Sequence, residues 1–247
     1  GYEMVPIYGK ETGKLNKDGK AEIEYSLKQE DGALGFPGNR TFTVTYKVTD
    51  DGEVAIIYTG ASDKDTVMNL TNHSYFNLNG DPSISSMNQV LYLAADSITP
   101  VDDTFMTNGT MMAVTGTPFD FNTPKSIDQD VTNFDNEQIK FGKGFDHNWV
   151  LKTKGDIHQV AAQLTSPNTG ITLEVYTDEP GIQVYTGNFL DGTVKGKKGI
   201  VYPQRASVCL ETQHYPDSPN KKHWPSVVLE PGKTYTSHCI FKFGVIK

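Results

Sequence analysis

Thr41-Phe42-Thr43-Val44-Thr45-Tyr46-Lys47-Val48 alternates polar and apolar residues one for one, with β-branched and aromatic side chains throughout. A period of two is the pattern of a strand with one face buried. Asp50-Asp51-Gly52 then reads as a turn, and Glu53-Val54-Ala55-Ile56-Ile57-Tyr58-Thr59 as the returning arm of a hairpin. Working outward, Ala21 to Leu27 is an earlier alternating strand behind the turn Lys17-Asp18-Gly19. Later strands are expected at 66–72, 89–94, 147–151, 158–165, 171–177, 182–187, 206–212 and 234–243. Turn residues part them, among them Pro167-Asn168, Glu179-Pro180-Gly181, Asp191-Gly192 and Glu230-Pro231-Gly232. The best helix candidate is Asp128 to Asn133 and the second Asp135 to Ile139, each no more than a single turn. The expected fold class is therefore all-β, a large antiparallel sandwich or barrel. Neither a fixed-period repeat nor a low-complexity linker divides the chain, so residues 1–247 read as a single domain. The stretch 95–145 is the least regular and reads as long loops at one end of the sheets, where function commonly sits.

Composition removes several classes. With 22 Lys+Arg against 30 Asp+Glu the net charge is -8, the wrong sign for a protein that tracks a phosphate backbone. No apolar run approaches the ~20 residues that span a bilayer, so neither nucleic acid nor membrane is an expected partner. Two cysteines, Cys209 and Cys239, are too few for a disulfide framework and read as buried free thiols. A charged segment followed by an apolar one, the mark of a signal peptide, is absent. Low cysteine content suits the cytoplasm. Gly1-Tyr2 does not look like a natural initiation, which leaves a periplasmic or secreted location open.

The standard nucleophile, metal and phosphate motifs are missing: no Gly-x-Ser-x-Gly, no His-Glu-x-x-His, no Cys-x-x-Cys and no glycine-rich loop opening a helix. Cys209, inside Val208-Cys209-Leu210, reads as a small buried hydrophobe. Three polar clusters sit oddly in strand-like surroundings: Asn69 to Leu78, Gly144 to Leu151 and Leu210 to Asn220. Each sets a titratable residue beside Asn, Tyr, Phe or Trp. A carbohydrate site needs such a mixture, because aromatic faces cover the C–H face of a sugar while carboxylates, amides and imidazoles bond its hydroxyls. Taken singly, each cluster has a plain structural reading: His73 as a satisfied core histidine, Asp146 as a turn residue, Glu211 as a charge at a strand end. His147, His158, His214, His223 and His238 show no ligand spacing.

Taken together, Asn72-His73-Ser74-Tyr75-Phe76-Asn77-Leu78, Phe145-Asp146-His147-Asn148, Gly181-Ile182-Gln183-Val184-Tyr185-Thr186-Gly187-Asn188 and Glu211-Thr212-Gln213-His214-Tyr215-Pro216-Asp217-Ser218-Pro219-Asn220 resemble the signature segments of the aldose 1-epimerase, or galactose mutarotase, family. Gly35-Phe36-Pro37-Gly38-Asn39, Thr117-Pro118-Phe119-Asp120-Phe121 and Leu229-Glu230-Pro231-Gly232 add to the likeness, which runs from about Gly32 to the C-terminus. The resemblance implies a β-supersandwich with the sugar site on a concave face. It also implies interconversion of the α and β anomers of free aldohexoses such as galactose and glucose, without metal or organic cofactor.

By the same resemblance Glu211 is the general base on the C1 hydroxyl and His73 the general acid at the ring oxygen, with the roles reversed as the ring recloses. Such a pair is worth typically ~10²–10⁴-fold per positioned group. Glu211 is then expected ionised and His73 protonated. Asp146 and Gln183 would bind sugar hydroxyls, and Asn72 and Tyr75 would flank and orient His73. The family also carries an earlier segment with an arginine and a second histidine in a Leu-His-Gly-Gly-like stretch. That stretch is not found here, and Arg40, in the Gly-Phe-Pro-Gly-Asn turn, does not inherit the arginine's role. The chain is therefore expected to be truncated at its N-terminus. Alone it would have weak or no activity, since each preorganised donor contributes roughly 3 kcal/mol. A sugar-binding module without turnover is the main alternative. A relative for phosphorylated hexoses would want a basic cluster, which Lys195 to Lys198 does not supply in its Gly-rich loop. A glycosidase would want two carboxylates flanking the bond.

Overall fold

The computed structural model describes residues 10–15 and 21–246; the turn expected at Lys17-Asp18-Gly19 lies outside the described residues. In chain order the strands are β1 (Lys10–Leu15), β2 (Ala21–Gln29), β3 (Arg40–Val48), β4 (Glu53–Ser62), β5 (Thr66–Val67), β6 (Tyr75–Phe76), β7 (Val90–Leu93), β8 (Ala95–Thr99) and β9 (Met112–Ala113). They continue as β10 (Lys125–Ser126), β11 (Asp146–Leu151), β12 (Ala162–Thr165), β13 (Ile171–Thr177), β14 (Gly181–Tyr185), β15 (Val208–Gln213), β16 (Val228–Leu229) and β17 (Thr234–Val245). Nine form one antiparallel sheet in the order β1-β2-β3-β4-β17-β13-β12-β7-β10, and six form a second, β6-β15-β14-β11-β8-β9; β16 and β5 pair separately. The all-β antiparallel fold is as the period-two segments foretell. No helix among the described residues is long and apolar enough to cross a membrane.

The opening hairpin is β3 and β4, in register from Arg40 opposite Ser62 to Val48 opposite Val54. Its apolar register turns inward. Val44, Ile56 and Tyr58 join Leu91, Leu173, Val175 and Phe241 of the nine-stranded sheet in one buried cluster. Ile98, Trp149, Ile182, Val184 and Leu210 enter it from the six-stranded sheet. Each such side chain, fully buried, stabilises the fold by roughly 1.5–3 kcal/mol before entropy is charged against it. Trp149 is wholly buried, and its indole N–H donates to Phe119 O at 3.0 Å, so no donor is stranded there. Cys209 and Cys239 are both buried and free.

Three segments depart from the sequence expectation. The strand expected at 66–72 stops at Val67. Beyond it, side chains replace the ladder: Asn69 donates its amide to His214 O and accepts from His214 N, both at 3.0 Å, and Thr71 Oγ1 donates to Thr212 O at 2.9 Å. Asn and Thr can offer the backbone such substitutes. The strand expected at 158–165 begins only at Ala162, because Asp156 draws residues 156–159 into a turn. Of the two helix candidates the second is the real one: α1 (Glu137–Gly142) is capped by Asn136 Oδ1, which accepts from Gln138 N and Ile139 N. Residues 127–129 make only a 3-10 turn, and Ser126 gives it no side-chain cap.

Candidate active site

The six-stranded sheet has two faces, and the period of two sorts residues between them. Ile182 and Val184 of β14 and Leu210 of β15 face the core. Their neighbours in sequence face the other way. Cross-strand register sets Asn148, Gln183 and Glu211 in one row, and Asp146, Tyr185, Cys209 and Tyr75 in the next. His73 arrives on the irregular segment that Asn69 and Thr71 hold beside β15. Its Nε2 lies 3.5 Å from Glu211 Oε1. That is longer than a made hydrogen bond. Tyr75 stacks on the imidazole with ring centres 4.9 Å apart and planes 26° off parallel, and Tyr185 meets it edge-on.

Five of the six residues singled out from sequence, His73, Tyr75, Glu211, Asp146 and Gln183, thus lie on one face. The Gln183 amide donates to Asp146 Oδ1 at 2.8 Å. Tyr75 flanks His73. The Asn72 side chain is engaged elsewhere: it donates to the Tyr46 hydroxyl at 3.3 Å and accepts from Ser74 N at 3.0 Å. It therefore shapes the turn that carries His73. Arg40 donates to Ala33 O and lies over the Phe36 ring, away from this face.

Burial sets the electrostatics. It raises the Asp146 carboxyl to about 6, against the hydrogen bond from Gln183. It raises Glu211 to about 8, with the charge of Asp146 adding to the effect. It lowers His73. Burial thus favours the uncharged form of each group, a carboxylic acid and a neutral imidazole, where the sequence expectation has an ionised Glu211 and a charged imidazole.

Several buried polar atoms on this face have no hydrogen-bond partner among the described residues: His73 Nδ1, Gln183 Oε1 and both polar atoms of Asn148. Asn148 is 1% exposed. It lines a cavity of about 210 Å³ with Thr99, Thr107, Asp146, Gln183 and Asp217. His73 and Glu211 are not among its lining residues; they stand on the same face beyond Gln183. Asn148 and Tyr185 carry no role in the sequence reading, although each lies two residues from one that does, the spacing that puts strand residues on one face. Gly181 makes the room for Asn148, since a Cβ there would fall 2.5 Å from Asn148 Oδ1. Asn188 anchors the approach to Asp146: its amide donates to Gly142 O and Phe145 O, each at 2.9 Å. At Gly144, with φ of 139°, a Cβ would strike Asn188 Oδ1 at 2.3 Å.

The remaining histidines are placed structurally. His147 is fully buried against Phe119, and burial pushes it down to about 3. His223 bonds Gly109 O, and His238 pairs with Asp178. His214 Nδ1 lies 2.5 Å from Oε2 of buried Glu179, beside a larger hollow of about 340 Å³.

Comparison with known proteins gives a consistent result. A family model described as aldose 1-epimerase matches residues 11–242. Galactose mutarotase of Sus scrofa is 42% identical over 223 residues, 90% of this chain and 63% of that protein. The Homo sapiens protein of the same name is 41% identical over the same span. Aldose 1-epimerase of Escherichia coli K12 is 37% identical over 238 residues, 96% of this chain and 68% of that one. Among solved structures, an aldose epimerase homologue from C. elegans superposes with a TM-score of 0.82 at 30% identity, covering 92% of this chain and 66% of that one. Galactose 1-epimerase from Lactobacillus acidophilus does so with 0.83 at 28%, covering 97% and 67%. The chain spans about 63% of the length of the mammalian mutarotases it matches.

Proposed function

This chain belongs to the aldose 1-epimerase family, and from that premise we propose that it interconverts the α and β anomers of free aldohexoses, galactose and glucose first among them. The observation that carries the reading is the pair of half-buried His73 and buried Glu211, 3.5 Å apart, on the face that also holds Asp146 and Gln183.

Opening a pyranose requires one proton off the C1 hydroxyl and one onto the ring oxygen. Closing on the other face reverses both transfers. Two groups sharing a single proton can do this, one giving while the other takes, and each cycle returns the proton to its starting place. Glu211 takes the C1 hydroxyl proton and His73 serves the ring oxygen. Since burial favours the uncharged forms, transfer of the Glu211 proton to His73 as the sugar binds brings the carboxylate into its basic form. Asp146, Gln183 and Asn148 bond sugar hydroxyls, which would satisfy the orphaned amide atoms. Tyr75 and Tyr185 hold the imidazole in plane. No covalent intermediate is needed, in keeping with a Cys209 thiol that burial makes a poor nucleophile.

A monosaccharide is the proposed partner, and the contiguous core supports reading the chain as one domain. A sugar-binding module without turnover is the second reading, favoured by the uncharged resting state of the pair. Polarimetry of freshly dissolved α-D-galactose and α-D-glucose decides between them. Acceleration by the chain that Glu211→Gln and His73→Asn remove is the expected result. Sugar binding by calorimetry without acceleration would overturn the enzyme in favour of the binder.

A further inference from the structure

We infer that His73, Cys209 and Glu211 together form a binding site for a thiophilic divalent cation, zinc foremost, whose occupation takes the acid–base pair out of action. Their imidazole nitrogen, thiol sulfur and carboxylate oxygen all lie within 4.8 Å of one another, and they are the one such group of three among the described residues. Cys209 and Glu211 are adjacent on one face of β15 because they are two residues apart. His73 is delivered opposite them by the side-chain-bonded segment 68–74.

The distances suit zinc. Zinc–nitrogen and zinc–oxygen bonds of about 2.1 Å and a zinc–sulfur bond of about 2.3 Å, at tetrahedral angles, put ligand atoms roughly 3.4–3.6 Å apart. His73 Nε2 and Glu211 Oε1 already stand at 3.5 Å. The three ligand atoms lie within 4.8 Å of one another, so the thiol needs to close by at most roughly 1.2 Å. A nitrogen, sulfur and oxygen donor set with a fourth position open is zinc chemistry, not magnesium or calcium chemistry, which wants oxygen alone. Burial adds to this. Glu211 is 5% exposed and Cys209 fully buried, so neither is a solvated surface charge. The stacked ring of Tyr75 limits the imidazole's motion. Cys239 is also fully buried, but it belongs to the apolar core cluster and has no such company. On binding, the thiol proton and the Glu211 carboxyl proton both leave to solvent, and the thiolate, carboxylate and neutral imidazole coordinate the cation. Coordination then occupies the one basic nitrogen of His73 and ties the Glu211 charge to the cation, so neither is free to exchange a proton with the sugar. The cation site stands on geometry alone; the inhibition rests on the proposed mutarotase activity.

Two titrations of the purified chain test it: zinc chloride in competition with a chromophoric chelator, and cobalt chloride followed in the visible and near ultraviolet. The expected result is one tight equivalent, with the intense visible bands of tetrahedral cobalt and a thiolate-to-cobalt charge-transfer band. Losing an outer partner of a metal ligand already weakens binding about 10–100-fold. Losing a ligand itself, in Cys209→Ser, Cys209→Ala or His73→Asn, should do at least as much in variants shown folded by circular dichroism. Cys239→Ala should bind as the parent does. Zinc should also slow α-D-galactose mutarotation by the parent but not by Cys209→Ser, whose zinc-free rate stays near the parent's. Equal zinc affinity in parent and both Cys209 variants, or pale octahedral cobalt without a sulfur band, would overturn the site. Tight zinc with mutarotation unslowed would overturn the inhibition. Zinc binding in a chain that never accelerates mutarotation would keep the cation site and fail the enzyme reading instead.

Discussion

Two buried glutamates each face a histidine in this molecule, and the pairs could hardly be built more differently. Glu179 holds His214 at 2.5 Å, accepts a weak contact from the Tyr235 hydroxyl at 3.5 Å, and its backbone N–H donates to Thr177 Oγ1 at 3.1 Å. The backbone of His214 is in turn gripped by Asn69. Glu211 stands 3.5 Å from His73, has a second carboxylate for a neighbour, and shares its face with amide atoms that bond nothing among the described residues. The first pair is complete without a ligand. The second is complete only with one. A buried carboxylate beside a histidine therefore says little by itself; what marks a site is the unfinished hydrogen bonding around it.

The largest expected difference between the pairs is catalytic. Glu211→Gln keeps the shape and removes the base, and should slow sugar mutarotation ~10²–10⁴-fold, the usual worth of a positioned acid or base. Glu179→Gln should leave the rate within a few-fold. Polarimetry of both variants side by side is the check, and comparable losses in the two would erase the distinction.

Stability should run the other way. His214→Ala strips the hydrogen-bond partner from a glutamate that is 2% exposed, and leaving such a buried polar group unsatisfied costs roughly 1–3 kcal/mol. His73→Ala removes a partner that Glu211 does not hydrogen-bond, and should cost less than about 1 kcal/mol beyond lost packing. Urea unfolding midpoints measure both. A His73→Ala loss as large as that of His214→Ala would mean the looser pair is structural too.

Sequence shows one of these pairs and hides the other, and the reason is physical. The hairpin β3–β4 is legible because every residue obeys one period, and residues two apart share a face. Asp146, Gln183 and Glu211 sit on separate strands, and only the register of β11, β14 and β15 aligns them; the likeness of their surrounding motifs to a known family carried them ahead of any geometry. His73 and His214 lie in equally polar, equally aromatic stretches. The partner of His214 is 35 residues away in a turn that reads as Glu-Pro-Gly punctuation. The segment 66–72 reads as a strand from its pattern, but beyond Val67 the side chains of Asn69 and Thr71 stand in for the ladder. Asn148 was visible by its spacing from Asp146, but spacing does not reveal that both its polar atoms are left over.

The pH dependence of stability separates the pairs a third way. Glu211 titrates in the folded chain at about 8, above its ordinary 4.5, so the native state holds this proton more tightly than the unfolded chain does. The stability it lends is whole below about pH 4.5 and is lost as the pH climbs through about 8. A shift of this size corresponds to a few kcal/mol at most, and roughly 2 kcal/mol is expected once the site relaxes. Unfolding free energies at pH 5 and pH 9 should therefore differ by more in the parent than in Glu211→Gln, which has no proton to lose. The activity should fall over the same rise, as the pair loses the one proton it shares. An identical pH dependence in parent and variant would place the titration elsewhere.

The smallest expected effect is the sharpest test of what unfinished bonding means. Asn148→Leu replaces a buried amide with an apolar side chain of similar size, beside Gly181 and in the cavity that Thr99, Asp146 and Gln183 also line. An amide without partners carries its full desolvation cost, so its removal should stabilise the unliganded chain by about 1 kcal/mol. The same change takes away a donor and an acceptor meant for sugar hydroxyls, and should weaken sugar binding about tenfold. Denaturant unfolding and calorimetric titration with galactose give the two numbers on one protein. A gain in stability paired with a loss in affinity is the signature of a residue held ready for a ligand. A loss in both would class Asn148 with Glu179 and His214, as part of the frame, and would leave Asp146 and Gln183 to recognise the sugar.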